Sequence, residues 1–402
     1  MTELYKLRNQ IKHYEWGSPE LIPRFLGIHN EKNVPCAEMW MGSHASAPSH
    51  VVPDENAGVH LLKGTVTLEE FTDGELPFLF KLLAVEKPLS IQAHPNKEQA
   101  AEGFKRENAE GLTFKSPRRN YRDGNHKPEI MCAITPFKLM AGFRKKNEIY
   151  ASLETLIKII PQVKEIITPL LRAMNTDTLA VFFRILFGLS DLQKEYLCSF
   201  LIKTDVPDTD AISPEQWKYV RSFSTQYPFD PAILSPLYLN LFTLLPFQAV
   251  YIPAGVLHSY ISGFGVELMA NSDNVLRGGL TPKHVDIPEL MNIVNFNSYM
   301  PPVFTVDDSS PWIRYPAPCD EFSLNLIRGG AEKIIFPVSG QAICLVTEGE
   351  LHAGNCSFKK GESFFIPSAR DNNAVLDFSG NFSLFAAIAE KNSANMKSAS
   401  GG

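Results

Sequence analysis

The sequence predicts a mainly β chain, built from jelly-roll barrels and carrying one helical insertion. Three observations carry that expectation. Short apolar runs of strand length, broken by Gly, Pro and Asn, fill both ends of the chain. A block of helical periodicity separates them. The composition, with 29 Pro, 25 Gly and 27 Phe in 402 residues, suits a turn-rich protein with aromatic cores. This length allows about two to three globular units.

Over residues 1–144, runs such as Phe78-Leu79-Phe80-Lys81-Leu82-Leu83-Ala84-Val85 and Ile130-Met131-Cys132-Ala133-Ile134 are apolar without alternation. They read as strands covered on both faces. Over 145–227 the period changes. Leu153, Leu156, Ile157 and Ile160 recur at helical spacing and stop at Pro161; Val163, Ile166, Ile167, Leu170 and Leu171 resume it. Ser190 then precedes a stripe of Leu192, Tyr196, Leu197, Phe200 and Leu201, an N-cap followed by an amphipathic face. Three or four helices are expected here. Strand signals return over 228–300, where Gln248–Ile252 leads into the corner Pro253-Ala254-Gly255-Val256-Leu257-His258. They continue over 301–390 in Ala342–Leu351, Ser363–Ile366 and Phe382–Ile388. Strand–turn–strand units without intervening helices indicate jelly-roll or double-stranded β-helix barrels. Residues 391–402 hold no core residue and are expected to be disordered.

Lys plus Arg number 38 against 44 Asp plus Glu, a net charge of -6. That excludes a general nucleic-acid binder, which needs a cationic field, but leaves room for a local pocket for one small anion. The most apolar stretch, Ile233 to Ile252, is interrupted by Pro236, Asn240, Pro246 and Gln248, so no membrane span is expected. The start shows no apolar run behind a basic cluster. Six cysteines are scattered without a CxxC, which suits free thiols in a reducing compartment. A soluble cytoplasmic protein is expected.

Chemistry collects at strand ends. In Gln92-Ala93-His94, period-two geometry sends residues 92 and 94 to one face. Glu129, in His126-Lys127-Pro128-Glu129, opens a strand, and His258 follows the Pro-Ala-Gly corner. Together they form a nitrogen and oxygen donor set for a borderline divalent ion such as zinc. Singly, each has a structural reading; Glu129 could simply pair with Lys127. Downstream, Glu267, Asn271, Ser272, Asp273, Asn274, Arg277, Gly278, Gly279, Thr281, Lys283 and His284 interleave with apolar residues, which favours a substrate loop over a solvated one.

These residues carry a close resemblance. Tyr121-Arg122-Asp123-Gly124-Asn125-His126-Lys127-Pro128-Glu129 is similar to the YxDxNHKPE signature of the type I mannose-6-phosphate isomerases (phosphomannose isomerases). The stretch His258 to Lys283 resembles their second signature, with Ser259 and Gly278 where that family usually has Ala. Tyr14-Glu15-Trp16-Gly17, Ala37-Glu38-Met39-Trp40-Met41-Gly42 and Leu89-Ser90-Ile91-Gln92-Ala93-His94-Pro95 match in the same order. The likeness runs from about residue 5 to 290; the C-terminal jelly roll fits more loosely.

The resemblance implies a cupin-type catalytic barrel (1–144 and 228–300), an inserted helical domain (145–227) and a second, C-terminal jelly roll (301–390). It implies one zinc per chain on Gln92, His94, Glu129 and His258, and interconversion of mannose 6-phosphate and fructose 6-phosphate through a cis-enediol. Arg277 is the family's expected catalytic arginine. Lys127, Glu267, Asp273 and Lys283 are rival acid/base candidates, and Lys81, Ser90 and Arg277 are expected to hold the phosphosugar. A monomer with no nucleic-acid or membrane partner is expected. Two other classes compete: a metal-dependent cupin oxygenase with iron in a facial triad, and a non-catalytic sugar-phosphate-binding cupin.

Overall fold

The computed structural model describes residues 3–52, 65–72, 74–176, 178–307, 310–337, 340–368 and 375–390; the tail expected at 391–402 lies outside them. The described residues form two antiparallel sheets of eleven strands each, with a helical block between the strands of the first. This is the mainly β architecture with an α insertion that the apolar runs predict. Among the described residues, no helix is long and apolar enough to cross a membrane.

The first sheet turns on one 13-residue strand, His258–Ala270. Its second half, Gly263 to Ala270, lies between Phe78–Val85 and Glu129–Ala133. Its first half pairs instead with Ile91–Ala93 and Phe137–Phe143. The switch occurs at a bulge between Tyr260 and Ser262. Gly263 follows at φ 137°, where a Cβ would stand 2.7 Å from Phe137 Cα and 2.8 Å from Pro136 O. Only glycine passes that bend.

Period two explains why these strands are apolar on both faces. Phe78, Phe80, Leu82 and Ala84, with Ile130, Cys132, Val266 and Leu268, pack in one core against Leu324, Leu326 and Phe385 of the second sheet. Leu83, Val85, Met131 and Ala133 point the other way into a separate core. Lys81, Glu129 and Glu267 share that second face by register. Both faces are covered, so alternation disappears from the sequence.

The second sheet contains Phe322–Gly329, Ala342–Ala353, Ser363–Ile366 and Phe382–Ala389, as expected of the C-terminal jelly roll. It also takes in Tyr5–Arg8, His50–Val51 and Val66–Thr67; Tyr5 sits opposite Phe365. Conversely, Val303–Phe304 pairs with Ala249–Ile252 of the first sheet. The chain therefore crosses between the sheets on both sides of the expected boundaries. An open edge beside Ser363–Ile366 would leave backbone donors unpaired, and the N-terminal strand satisfies them.

The insertion holds five α-helices, Lys146–Ile159, Lys164–Thr176, Leu179–Phe187, Asp191–Lys203 and Pro214–Gln226, where periodicity reads three or four. Ser190 and Ser213 each cap a helix in a reciprocal box with Gln193 and Gln216. Leu153, Leu156, Phe182, Phe183, Val220 and Phe223 form a core continuous with Ile91, Ala93, Ile261, Leu276 and Leu280. The helices thus buttress the strands Ile91–Ala93 and Leu276–Gly279. Cys36, Cys132, Cys198 and Cys344 are buried, Cys319 and Cys356 half-buried, and none of the six is in a disulfide among the described residues.

One carboxylate fastens the insertion's exit to the loop beyond Arg277. Asp230 accepts from Ala232 N at 2.9 Å and from Leu280 N at 2.6 Å. Gly279, at φ 121°, allows the close approach, since a Cβ there would meet Ala232 Cβ at 2.2 Å. Asp230→Ala is expected to lower unfolding free energy by about 1–3 kcal/mol, the scale of two orphaned backbone donors. Urea denaturation checks this, and an unchanged midpoint would contradict it.

Candidate active site and metal centre

His94 follows the strand Ile91–Ala93, Glu129 opens Glu129–Ala133, and His258 opens His258–Ala270. Cross-strand pairing brings them together: Gln92 lies opposite His258, and Glu129 opposite Met269 of the same long strand. His94 Nε2 is 3.3 Å from one Glu129 oxygen and His258 Nε2 is 3.2 Å from the other. One donor atom from each of the three residues fits within a 4.8 Å spread, and all three side chains are buried. Gln92 lines the cavity in front of them.

The remaining ring nitrogens set the protonation. His94 Nδ1 lies 2.7 Å from the Asn274 carbonyl and His258 Nδ1 lies 3.0 Å from the Val256 carbonyl. A carbonyl only accepts, so both Nδ1 atoms carry hydrogen, and in the neutral ring this leaves Nε2 as the atom that can bind a metal. Burial lowers the His94 pKa to about 4 and keeps the ring neutral. Burial disfavours the charge on Glu129, but the carboxyl is held well below its usual range, chiefly by the Lys127 ammonium. His94 Nε2, His258 Nε2 and Glu129 Oε2 are buried without a hydrogen-bond partner. Two imidazole nitrogens and a carboxylate facing one another are a poor arrangement for a protein alone. They fit a divalent cation.

The two signature segments are stitched behind this cluster. The Asn274 side-chain oxygen accepts from Arg122 N at 2.7 Å and Asp123 N at 3.2 Å, and its amide donates to Asp123 O and Asn125 O, each at 2.8 Å. Asp123 in turn accepts from Ser272 Oγ at 2.9 Å and Asp273 N at 2.8 Å. From the C-terminal sheet side, Glu321 meets His126 Nε2 at 2.6 Å. Asn274, which reads in sequence as one polar residue of a substrate loop, is a buried latch that aims His94.

A cavity of about 340 Å³ opens in front of the donors. Every metal-ligand, acid/base and phosphosugar candidate lines it except the buried His94 and His258, whereas Asn271, Ser272, Asn274, Gly278, Gly279, Thr281 and His284 of the expected substrate loop do not. Lys81 Nζ is 3.1 Å from Glu267 Oε2, and Lys127 Nζ is 3.0 Å from Glu129 Oε1. Burial and the nearby Glu129 push the Glu267 carboxyl up, although Lys81 opposes them. Lys81 stays protonated: burial works against its charge, but Glu267, Glu38 and Glu129 outweigh it. Its charge, expected for phosphate, is compensated in place. Asp273 is exposed, and a hydrogen bond from His44 holds its carboxyl low. Lys283 is exposed at the mouth; partial burial and the charges of Arg277 and Arg122 depress its pKa. Arg277 is half-buried opposite Gln92, and Ser90 lines the same wall.

The cavity also takes residues to which the sequence assigns no role: Glu38, Trp40, Arg122 and Tyr260. The Trp40 indole N–H donates to Glu38, and the Lys81 ammonium lies 5.3 Å from the Trp40 ring centre. Each belongs to a motif quoted above, so the signal was present without a role attached. Asn274→Ala keeps the backbone carbonyl that His94 bonds but loosens the loop that positions it, and is expected to weaken divalent-metal affinity about 10- to 100-fold. Titration against a competing chelator measures it; unaltered affinity would contradict the latch.

Residues 4–146 match the family model for the phosphomannose isomerase type I catalytic domain. The chain is 35% identical over 388 residues to the mannose-6-phosphate isomerase of Salmonella typhimurium, covering 90% of this chain and 94% of that protein. It is 34% identical to mannose-6-phosphate isomerase 2 of Arabidopsis thaliana, with 91% and 89% covered. Among solved structures, a zinc-bound holo mannose 6-phosphate isomerase superposes with a TM-score of 0.84 at 33% identity, covering 97% of this chain and all of that one. With the signatures, the cupin-type barrel and the comparisons in agreement over nearly the whole length, the chain belongs to the type I mannose-6-phosphate isomerase family.

Proposed function

We propose that this chain is a zinc-dependent isomerase that interconverts D-mannose 6-phosphate and D-fructose 6-phosphate through a cis-enediol. One zinc per chain would be held by Gln92, His94, Glu129 and His258. The observation that carries this reading is the buried donor trio without partners of its own, opening on a cation-lined cavity. Bound there, zinc supplies a Lewis acid for the sugar oxygens.

Moving hydrogen between C1 and C2 needs a group that takes a proton and returns it. Glu267 fits best among the candidates. It is buried, faces the cavity, is oriented by Lys81 at 3.1 Å, and has its pKa pushed upward. Lys127 is engaged with Glu129, and Asp273 is exposed and held low by His44. Lys283 is exposed and unpaired, which suits an anion better than a carbon-bound proton. Arg277 is a permanent cation that can stabilise the enediolate without titrating. The two histidines and one carboxylate would also serve an iron oxygenase, but the cavity's cations favour a sugar phosphate. A non-catalytic sugar-phosphate binder would have no use for a buried carboxylate of raised pKa beside the metal donors.

A coupled assay should show fructose 6-phosphate formed from mannose 6-phosphate; no turnover by metal-loaded protein would refute the activity. Arg277→Ala is expected to keep its metal yet lose at least about a hundredfold in kcat, the scale of one transition-state donor. Glu267→Gln should slow solvent-hydrogen exchange at C1 and C2 by about 10²-fold or more. Exchange at the wild-type rate would remove Glu267 from the proton path.

A further inference from the structure

We propose that Glu321, on the C-terminal sheet, is a positioning residue of the active site: by holding His126 it fixes the backbone that places Lys127 against Glu129. This rests on the isomerase reading above and gives the second jelly roll a part in the catalytic centre.

The segment from Arg122 to Pro128 forms no strand. Its two ends are tied down. Asn125 O accepts from the Asn274 side-chain amide at 2.8 Å and from Ser272 Oγ at 3.2 Å, and Pro128 O accepts from Ala270 N at 3.2 Å. Between these ties, the backbones of His126 and Lys127 make no hydrogen bond with the described residues. Two successive residues are therefore held through their side chains. Lys127 lines the cavity, with Nζ 3.0 Å from Glu129 Oε1. His126 is not on the cavity wall; its Nε2 lies 2.6 Å from Glu321 Oε1. The first contact is the one to be positioned, and the second is the anchor.

Glu321 is a firm anchor. It immediately precedes the strand Phe322–Gly329, whose Phe322 and Leu324 pack in the same core as Ile130 and Val266 of the catalytic sheet. The pair is mostly buried, the His126 side chain 24% exposed and that of Glu321 18%, so solvent screens it little. The hydrogen bond from His126 holds the Glu321 carboxyl below its usual range. An ionised carboxylate only accepts, so His126 Nε2 carries the hydrogen and the bond is charge-assisted. Nearby, Tyr251 Oη lies 3.4 Å from Pro318 O, and Tyr251 sits opposite Ile130, the residue after Glu129. The C-terminal segment thus meets the barrel directly behind the start of this ligand strand. Without Glu321, His126 and Lys127 have no tie of their own on the outer side, and the Lys127–Glu129 contact loosens. Lys81, whose strand is paired on both sides, depends on none of this.

Brief labelling of lysines with acetic anhydride, read residue by residue by mass spectrometry, tests the assignment. In wild-type protein Lys127 and Lys81, both buried, should label slowly. Glu321→Ala should raise the Lys127 rate about tenfold, the opening expected when one charge-assisted hydrogen bond is lost, and leave Lys81 level. At saturating zinc, kcat should fall about tenfold. Glu321→Gln keeps an acceptor oxygen and should recover part of both effects. His126→Ala should match Glu321→Ala, and the double variant should be no worse than either. An unchanged Lys127 rate, an equal rise at Lys81, an unchanged kcat or additive effects in the double variant would overturn the assignment. If wild-type protein does not isomerise mannose 6-phosphate, the functional reading fails separately, and the labelling rates still decide whether Glu321 holds Lys127 in place.

Discussion

The structure depends on three buried donors that have nothing of their own to bond. His94 Nε2, His258 Nε2 and Glu129 Oε2 are removed from water and aimed at a shared point. Desolvating such groups without a partner costs about 1–3 kcal/mol each, more for the charged one. A cation relieves that cost, and the surroundings keep the donors where a cation needs them. The Nδ1 hydrogens are anchored on carbonyls of Asn274 and Val256, so the rings cannot turn away. The long strand His258–Ala270 carries one ligand at its start and faces the others through its neighbours. Its bend at Gly263 lets a single strand serve both halves of the barrel.

Charge around that point is arranged in two layers. Next to the candidate metal donors two cations are matched: Lys127 with Glu129, Lys81 with Glu267. Toward the opening the cations are unmatched, and the chain's overall charge of -6 conceals them. On the proposed reading, the matched layer tunes carboxylates for proton movement and the unmatched cations suit an anion. The helical insertion contributes to neither directly. Its core runs into Ile91, Ala93, Leu276 and Leu280, which stiffens the two short strands bearing Gln92 and Arg277.

Much of this was legible because the proposed metal donors are announced locally. Gln92 and His94 share a face by period two, Glu129 sits at a strand start after Pro128, and His258 follows a Pro-Gly corner. Features that depend on distant pairing were not. Nothing in Tyr5-Lys6-Leu7-Arg8 shows that it will join Ser363–Ile366 in the C-terminal sheet. The helix Leu179–Phe187 is apolar on most of its surface, so no stripe sets it apart and the insertion reads one or two helices short. Lys81 reads as a phosphate ligand until the register of Phe78–Val85 against His258–Ala270 puts it opposite Glu267. Arg122 lies inside the motif Tyr121 to Glu129, but its place on the cavity wall, with no counter-ion at bonding distance among the described residues, is a property of the fold alone.

The central claim, that the donor trio and Gln92 hold one catalytic zinc, is tested most directly by stripping the protein of metal and titrating zinc back. Isomerisation of mannose 6-phosphate should vanish in the stripped protein and return in proportion to added zinc, levelling off at one ion per chain. Full activity in protein free of divalent metal would contradict it.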